Sequence, residues 1–282
     1  VSCTRDDLLA KAMPLKGLAD AVNITDGAGA RPHLGAVTSA ALLVEHGIEP
    51  ILQLTCRDRN RIALQGDLIS AAASGIRNIL ALRGDDPSAG DQPDAKPVFD
   101  LDPRALLQTA RRLRDAGELP SGRKVAGCAE FFLGGADNPI DPPAAWEPKG
   151  LKAKVAAGAQ FVQTQFCMDA GLIGRYAARL AEHGLLDKLH ILIGIAPLRS
   201  AKSARWIKEK LFGAVVPDAL IERMDKAADP VGEGSRIALE LIEQISAIRG
   251  VAGVHIMAPN NDGAVPDILI SARKRLATLV TV

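Results

Sequence analysis

The chain has 282 residues, 48% of them hydrophobic, which is enough to build a sizeable core. Its 34 basic and 33 acidic residues leave a net charge of +1, which argues against a nucleic-acid-binding surface because such surfaces are strongly basic. The four cysteines form no CxxC pair and so indicate reduced thiols. No apolar run is long enough to span a bilayer and no signal-peptide pattern opens the sequence, so we expect a cytoplasmic protein without a membrane partner.

Short apolar runs alternate with longer amphipathic stretches along the chain. After an opening helix, the runs predict seven strands: Ala19–Thr25, Pro50–Thr55, Asn78–Arg83, Lys124–Glu130, Phe161–Phe166, His190–Ala196 and Gly253–Ala258. The amphipathic stretches predict helices at Arg5–Lys11, Pro32–His46, Arg61–Ser74, Pro103–Ala116, Gly171–His183, Ala201–Leu211 and Gly234–Ile248. Gly47, Gly75, Gly117 and Gly184 stand where a helix favours a left-handed C-terminal residue.

Strand–helix alternation predicts an α/β fold with a mainly parallel sheet. We expect a single-domain (β/α)8 TIM barrel over residues 1–282. The alternative is a doubly wound open sheet, but no GxGxxG motif follows the first predicted strand. Because seven strands are predicted rather than eight, we expect the first strand of the barrel to lie upstream of Val1.

Polar residues follow most of the predicted strands, as in barrel enzymes, whose sites lie at the carboxyl ends of the strands. They are Thr25-Asp26, Thr55-Cys56-Arg57-Asp58, Arg83-Gly84-Asp85-Asp86, Glu130, Gln165 and Asn260-Asn261-Asp262. Two long loops, Asp85–Asp102 and Phe132–Lys149, should lie on the same face. The histidines show no metal-ligand spacing, so we expect no metal site, and His255 is either a core or a site residue.

Two polar groups are the strongest candidates for chemistry. The carboxylate of Asp85 could bind the N–H groups of a heterocycle or stabilise a developing cation; the alternative is a turn or helix cap. Gln165 ends a strand and could bind a ring with mixed donors and acceptors, and Gln163 on the same face could support it. The arginines of segment 57–61 could bind an anionic group or be solvated.

Four segments together resemble the methylenetetrahydrofolate reductase family. They are Gln53-Leu-Thr-Cys56, Gly75-Ile-Arg-Asn-Ile-Leu-Ala-Leu-Arg-Gly-Asp85, Lys154-Val-Ala-Ala-Gly-Ala-Gln-Phe-Val-Gln-Thr-Gln-Phe166 and Gly194-Ile-Ala-Pro197. They span most of the chain in the family's order. The resemblance implies an oxidoreductase that transfers hydride from NADH or NADPH, through FAD, to 5,10-methylenetetrahydrofolate, giving 5-methyltetrahydrofolate.

The resemblance also implies residue roles. Asp85 would stabilise the N5-iminium cation beside the flavin and the pterin, while Gln165 and Asn260 would contact the folate. The FAD-binding residues would be Thr25, Thr55, Arg83, Gly84, Asp85, Cys128, Phe132 and Lys154. The family's general acid, a glutamate of the first strand, is expected upstream of Val1, and Glu130 is the candidate within the chain.

Departures from the family pattern leave alternatives open. Cys128 and Phe132 replace a tyrosine and a histidine that contact the flavin, and Met257 and Asn261 replace a tyrosine and an arginine of the last strand. Hydride could therefore pass directly from the nicotinamide to the folate, with the loop Phe132–Lys149 closing over the site. A folate-dependent methyltransferase barrel and a non-catalytic folate-binding subunit are the competing hypotheses. The nicotinamide preference, the direction of the reaction and a homo-oligomeric state stay open.

Overall fold

The computed structural model describes residues 2–279, with side-chain burial up to residue 277. The chain divides into two compact units, Val1–Gly135 with Lys152–Phe161 and Ala136–Leu151 with Val162–Val282. The sheet found in the described residues has seven strands that follow one another in chain order. The predicted α/β class of the TIM-barrel type is confirmed, because a helix separates each strand from the next along the chain.

The strands are β1 (Val22–Ile24), β2 (Pro50–Thr55), β3 (Asn78–Leu82), β4 (Phe132–Asp137), β5 (Phe161–Phe166), β6 (His190–Ile195) and β7 (Val251–Ile256). The α-helices are α1 (Arg5–Ala12), α2 (Ala36–Glu45), α3 (Arg61–Ala73), α4 (Pro103–Ala116), α5 (Lys149–Ala157), α6 (Ala170–Glu182), α7 (Ala201–Lys210), α8 (Asp218–Asp225), α9 (Pro230–Ser246) and α10 (Val265–Leu279). Short 3-10 turns at Ala28–Ala30 and Pro87–Ala89 follow β1 and β3.

Side-chain caps fix where several helices begin. The Asn60 side chain accepts from two N–H groups of α3, and Asp102 and Asp169 cap α4 and α6 in the same way. Ser200 and Ser203 form a reciprocal capping box at α7. The four predicted C-terminal glycines all have positive φ, so the predicted helix ends are confirmed within a residue or two.

The first unit has its core between β1–β3 and the helices that follow them. The registers of β1 with β2 and of β2 with β3 are parallel. Leu52 and Leu54 of β2 are fully buried, as are Leu64 and Leu68 of α3. Burial on both faces explains why β2 and β3 are almost continuously apolar, and it fixes their register.

In the second unit β6 and β7 pair in parallel register, and β6 is apolar because it is largely buried. Ile237, Ala238 and Ile242 of α9 are buried. At Gly194 of β6 a Cβ atom would lie 2.5 Å from the Thr164 carbonyl oxygen, so that close contact requires glycine.

Three parts of the sequence-based prediction are wrong or incomplete. Residues Lys124–Glu130 do not form a strand; β4 begins at Phe132, inside a segment predicted to be a loop. β7 begins and ends two residues before the predicted Gly253–Ala258. No range was predicted for helices α5, α8 and α10, whereas β2, β5 and α4 have the predicted bounds.

Among the described residues, no helix is long and apolar enough to cross a membrane.

Candidate functional site

The loops after β1, β2 and β3 begin at one edge of these strands. The registers align Ile24 with Leu52 and Thr55 with Leu82, so the carboxyl ends of the three strands lie close together. Barrel enzymes bind their substrates at such an edge. We call residues 25–31, 55–61 and 83–86 the β1–β3 edge.

Asp26 accepts hydrogen bonds from the β2 backbone and side chains at this edge. Its Oδ2 accepts from the Thr55 amide at 2.7 Å and from the Thr55 hydroxyl at 3.0 Å. The Arg59 guanidinium ion-pairs with Asp26 and with Asp67, the second contact at 2.6 Å. Burial raises the pKa of Asp67 and is only partly offset by Arg59. The Thr55 hydroxyl proton is thus already used within the protein.

Arg57 is the buried cation of the edge, with only 4% of its surface exposed. Its Nη1 donates to the Asp85 carbonyl at 3.2 Å, and its Nη2 donates to the Gly27 carbonyl at 3.1 Å. Two 2.7 Å hydrogen bonds join it to the Asp58 carboxylate, and they raise the pKa of Arg57. This guanidinium therefore bridges the loops that follow β1, β2 and β3.

Asp85 lies at the surface of the β1–β3 edge. Its Oδ2 accepts a 2.9 Å hydrogen bond from the Gly29 amide. The neighbouring Asp86, rather than Asp85, caps the 3-10 turn by accepting from Ser88, and those bonds lower the pKa of Asp86. An exposed carboxylate with a fixed backbone is suited to facing a positive charge.

The other predicted ligands of the first unit have different surroundings. Thr25 is exposed directly after β1. The exposed Arg83 has its guanidinium carbon 4.5 Å from the centre of the Phe99 ring. The part-buried Lys154 side chain passes beside Gly135, where a Cβ would lie 3.3 Å from the lysine Cδ.

Cys128, Glu130 and Phe132 lie at the opposite strand end from the one expected. Phe132 is the first residue of β4 and aligns with Asn78, the first residue of β3. Its ring stacks on that of Phe161 at 5.2 Å. Glu130, with a 68% exposed side chain, ion-pairs with Arg77 at 3.1 Å. Because β3 has five residues at about 3.3 Å each, these groups are roughly 15 Å along the strands from the Asp85 end.

Gln165 lies near the carboxyl end of β5 in the second unit. Its Oε1 accepts from the Phe166 amide at 3.0 Å, and its Nε2 donates to the Phe212 carbonyl at 3.4 Å. The predicted neighbour Gln163 is buried, and Thr164 accepts from the Gly194 amide at 2.9 Å. The Gln165 amide is therefore oriented by its own strand and by the loop after α7.

Phe212 belongs to this part of the second unit and was not singled out from the sequence. Its side chain is 88% exposed, although its carbonyl accepts from Gln165. At the next residue, Gly213, a Cβ would lie 2.6 Å from the Asn138 amide carbon. The only sequence signal was an aromatic residue placed between a charged helix end and a glycine, in a chain with 3% aromatics.

Asn260 and Asn261 follow β7. Asn260 is exposed and has a φ of 55°, a left-handed conformation that asparagine tolerates better than most residues. Asn261 donates to the Pro197 carbonyl at 3.1 Å. A folate contact by Asn260 stays a prediction.

The proline-rich segment 138–148, which we call the strap, is bound to α6 by side-chain contacts. Arg175 binds Asp141 in a bidentate ion pair at 2.8 Å, and Arg179 binds the Ala144 carbonyl. Trp146 lies 5.9 Å from the buried Tyr176 ring. The Tyr176 hydroxyl in turn donates to Asp137, and burial together with this carboxylate raises the pKa of the tyrosine. These contacts do not support the expected closing loop.

Two buried thiols and one part-buried histidine are uncharged at neutral pH. Burial raises the pKa of the Cys56 thiol to about 11 and that of Cys167 to about 12, which supports packed thiols rather than nucleophiles. Burial lowers the pKa of His255 to about 4, and its buried Nδ1 has no hydrogen-bond partner among residues 2–279. His255 is therefore a neutral residue of β7.

The residues predicted to hold FAD do not fit one flavin site. Cys128 and Phe132 lie at the amino end of β4. Thr55 is bonded to Asp26, and Gly84 lies so close to Arg57 that a Cβ there would be 2.9 Å from the arginine Cβ. Thr55 and Gly84 therefore make contacts within the β1–β3 edge itself.

Comparisons with known proteins identify the relatives of the chain. The family model described as methylenetetrahydrofolate reductase matches residues 5–273. A Caenorhabditis elegans protein named probable methylenetetrahydrofolate reductase (NADPH) is 28% identical over 237 residues. That alignment covers 83% of this chain and 34% of the relative, so the chain spans about a third of that protein's length.

A bacterial relative and a solved structure agree with this match. The 5,10-methylenetetrahydrofolate reductase of Salmonella typhimurium is 27% identical over 222 residues, covering 76% of this chain and 67% of that protein. An uncharacterized Clostridium thermocellum protein described as binding two copies of 5-methyl-5,6,7,8-tetrahydrofolic acid has the same fold. Its TM-score is 0.63 at 13% identity, covering 94% of this chain and 89% of the other. Because the family model matches nearly the whole chain, the protein belongs to the methylenetetrahydrofolate reductase family.

Proposed function

We propose that the protein interconverts 5,10-methylenetetrahydrofolate and 5-methyltetrahydrofolate, with NADH or NADPH as the two-electron donor for reduction. In that direction the bond from the methylene carbon to N10 breaks, N10 takes a proton, and an N5-iminium cation results. Hydride from the nicotinamide then forms the third C–H bond of the methyl group, leaving NAD(P)+. The family match and the folate described for the C. thermocellum neighbour support this substrate class.

The observation that carries the proposal is Asp85. It follows β3 in the Arg-Gly-Asp turn that resembles the family's motif, and its carboxylate is exposed with a fixed backbone. A fixed negative charge stabilises a developing cation more than it stabilises the neutral reactant, which is the condition for acceleration. We assign Asp85 the electrostatic stabilisation of the iminium and Gln165 a hydrogen bond to the folate ring.

We further propose that hydride passes directly from the nicotinamide to the folate, without FAD. The support is the poor fit of the predicted flavin ligands: two lie at the amino end of β4, and Thr55 and Gly84 are engaged by Asp26 and Arg57. Direct transfer requires only that the two rings meet at close range. Glu130 is not part of this proposal, because its place beside Arg77 gives it no support as the general acid.

The test is an absorbance spectrum of the purified protein, followed by an NAD(P)H-linked methylenetetrahydrofolate assay with and without added FAD. Turnover without flavin, unchanged by added FAD, is the expected result. A requirement for FAD would refute direct transfer but would leave the proposed reductase activity in place.

An absence of nicotinamide oxidation under all conditions would refute the reductase itself. Calorimetric titration with 5-methyltetrahydrofolate would then separate a folate-binding subunit or methyltransferase, which bind the folate, from a protein that does not. The Asp85→Asn variant, measured beside the wild type, guards against a contaminating reductase, since it should lose most of the activity.

A further inference from the structure

Arg57 makes hydrogen bonds to three different residues of the β1–β3 edge. Its guanidinium is bonded to the Asp85 carbonyl, the Gly27 carbonyl and the Asp58 carboxylate at once. Only 4% of the Arg57 surface is exposed, so its guanidinium has lost most of its hydration. Burying this charge is costly unless well-formed hydrogen bonds compensate for the lost hydration. The three partners lie in the loops after β3, β1 and β2, respectively.

Two of these bonds lead to Asp85 by separate routes. The Nη1 bond fixes the Asp85 backbone directly. The Nη2 bond holds the Gly27 carbonyl, two residues before Gly29, whose amide binds the Asp85 carboxylate at 2.9 Å. One guanidinium therefore restrains both the main chain and, through the Gly27–Gly29 turn, the side chain of the same aspartate.

The loops are also shaped to fit this side chain. Gly27 has a φ of 59°, and a Cβ there would lie 2.4 Å from Arg57 Nη2. Gly84 has a φ of 90°, and its Cβ would lie 2.9 Å from Arg57 Cβ. Both positions therefore need glycine for space as well as for conformation.

We propose that Arg57 is a positioning residue that holds Asp85 in the orientation needed to stabilise the iminium cation. The proposal rests on the proposed function, since it gives Arg57 a role only through Asp85. A planar guanidinium can bond two carbonyls in fixed directions, whereas a lysine ammonium offers a single point of charge. Arg57→Lys should therefore keep the charge but lose part of the restraint.

A double-mutant cycle with Arg57→Met and Asp85→Asn tests this role. We expect Arg57→Met to lower kcat by about 100-fold, the size of loss that a small displacement of a reacting group causes. The KM for methylenetetrahydrofolate should change little, and Arg57→Lys should lie between wild type and Arg57→Met. In the Asp85→Asn background, Arg57→Met should lower kcat by no more than about twofold, because the carboxylate that Arg57 positions is already absent.

Arg112→Met is the matched control, because Arg112 lies on α4 in the same unit and pairs only with Glu118 among the contacts found. It should leave kcat unchanged. If wild type is active and the two losses multiply in the double variant, Arg57 is merely structural and the proposal is overturned. Should Arg57→Met fail to fold, Arg57→Lys takes its place in the cycle.

Amide hydrogen exchange separates failure of this inference from failure of the proposed function. If Arg57 holds the turn, exchange of peptides covering residues 26–31 and 83–86 should be faster in Arg57→Met than in wild type. The Arg112→Met protein should match wild type. Unchanged exchange in these peptides would overturn the positioning role, whether or not the protein turns over folate.

Discussion

The polar residues of the β1–β3 edge differ in kind from those of β5. At the β1–β3 edge, Asp26, Arg57, Arg59 and Asp85 are charged and bind one another or the loop backbone. In β5 the polar groups are the neutral amides and hydroxyl of residues 163–165. A charged network can oppose a developing charge, whereas neutral groups can bind a ring through its donors and acceptors. The comparison predicts rate effects in the first unit and binding effects in the second.

The largest expected effect is on Asp85. Asp85→Asn removes the negative charge but keeps the shape, so kcat should fall by about 100-fold or more, as for the loss of one electrostatic contact in other active sites. Steady-state NAD(P)H oxidation measures it. Asp86→Asn is the control, because Asp86 caps the neighbouring turn, and equal losses in both variants would contradict the assignment.

The buried contact of α6 with Asp137 of β4 should contribute more to stability than the exposed contact of α6 with the strap. Tyr176→Phe removes the buried hydroxyl that donates to Asp137 and should lower the free energy of unfolding by about 1–3 kcal/mol. Arg175→Met removes an ion pair whose two side chains are more than half exposed, and should cost about 0–1 kcal/mol. Urea denaturation compares the two variants, and a larger loss for Arg175→Met would reverse the proposed order.

Gln165 should affect binding rather than the rate constant. Gln165→Ala would remove the proposed hydrogen bond to the folate, so the KM for methylenetetrahydrofolate should rise by about tenfold, equivalent to about 1.4 kcal/mol. The kcat should stay near that of wild type. A fall in kcat with an unchanged KM would place Gln165 with the transition state and break the contrast between the two units.

A further effect concerns the pH dependence of stability. The folded pKa of His255 is lowered to about 4 from 6.5, so the unfolded chain binds this proton first. The stability due to neutral His255 is complete above about pH 6.5 and is lost as the pH falls towards 4. The thermal midpoint of wild type should therefore fall relative to that of His255→Leu between pH 7.5 and pH 4.5. A difference that is constant with pH would contradict this.

The smallest expected effect concerns the reactivity of the four thiols. In the native protein the exposed Cys3 and Cys128 should react rapidly with a thiol reagent, whereas Cys56 and Cys167 should react only after denaturation. Rapid labelling of Cys56 would mean that the carboxyl end of β2 opens readily.

The alternation of apolar and amphipathic segments was enough to predict the fold class and several exact bounds, because β2 and α4 follow their intrinsic patterns. It failed at β4, where Gly134 and Gly135 indicated a turn. At Gly134 a Cβ would lie 2.3 Å from the Phe161 ring, and at Gly135 the Lys154 chain passes close by. These glycines serve contacts with distant residues, which no local pattern reveals.

The site was predicted unevenly for the same reason. Asp85 and Gln165 lie near strand ends, as the motifs predicted. The misplaced strand moved Cys128, Glu130 and Phe132 to the wrong end of β4. Arg57 could only be described as one of several arginines, since its burial depends on Gly27 and Gly84 making room for it.

The strap also gives the molecule an optical reporter. Trp146 packs near Tyr176, while the other tryptophan of the chain, Trp206, is 50% exposed. Emission from Trp206 should be quenched readily by a small solute in water, and emission from Trp146 should be quenched less. In a Trp206→Phe protein all tryptophan emission would therefore come from Trp146 in the strap. Detachment of the strap from α6 could then be followed in real time by the emission wavelength.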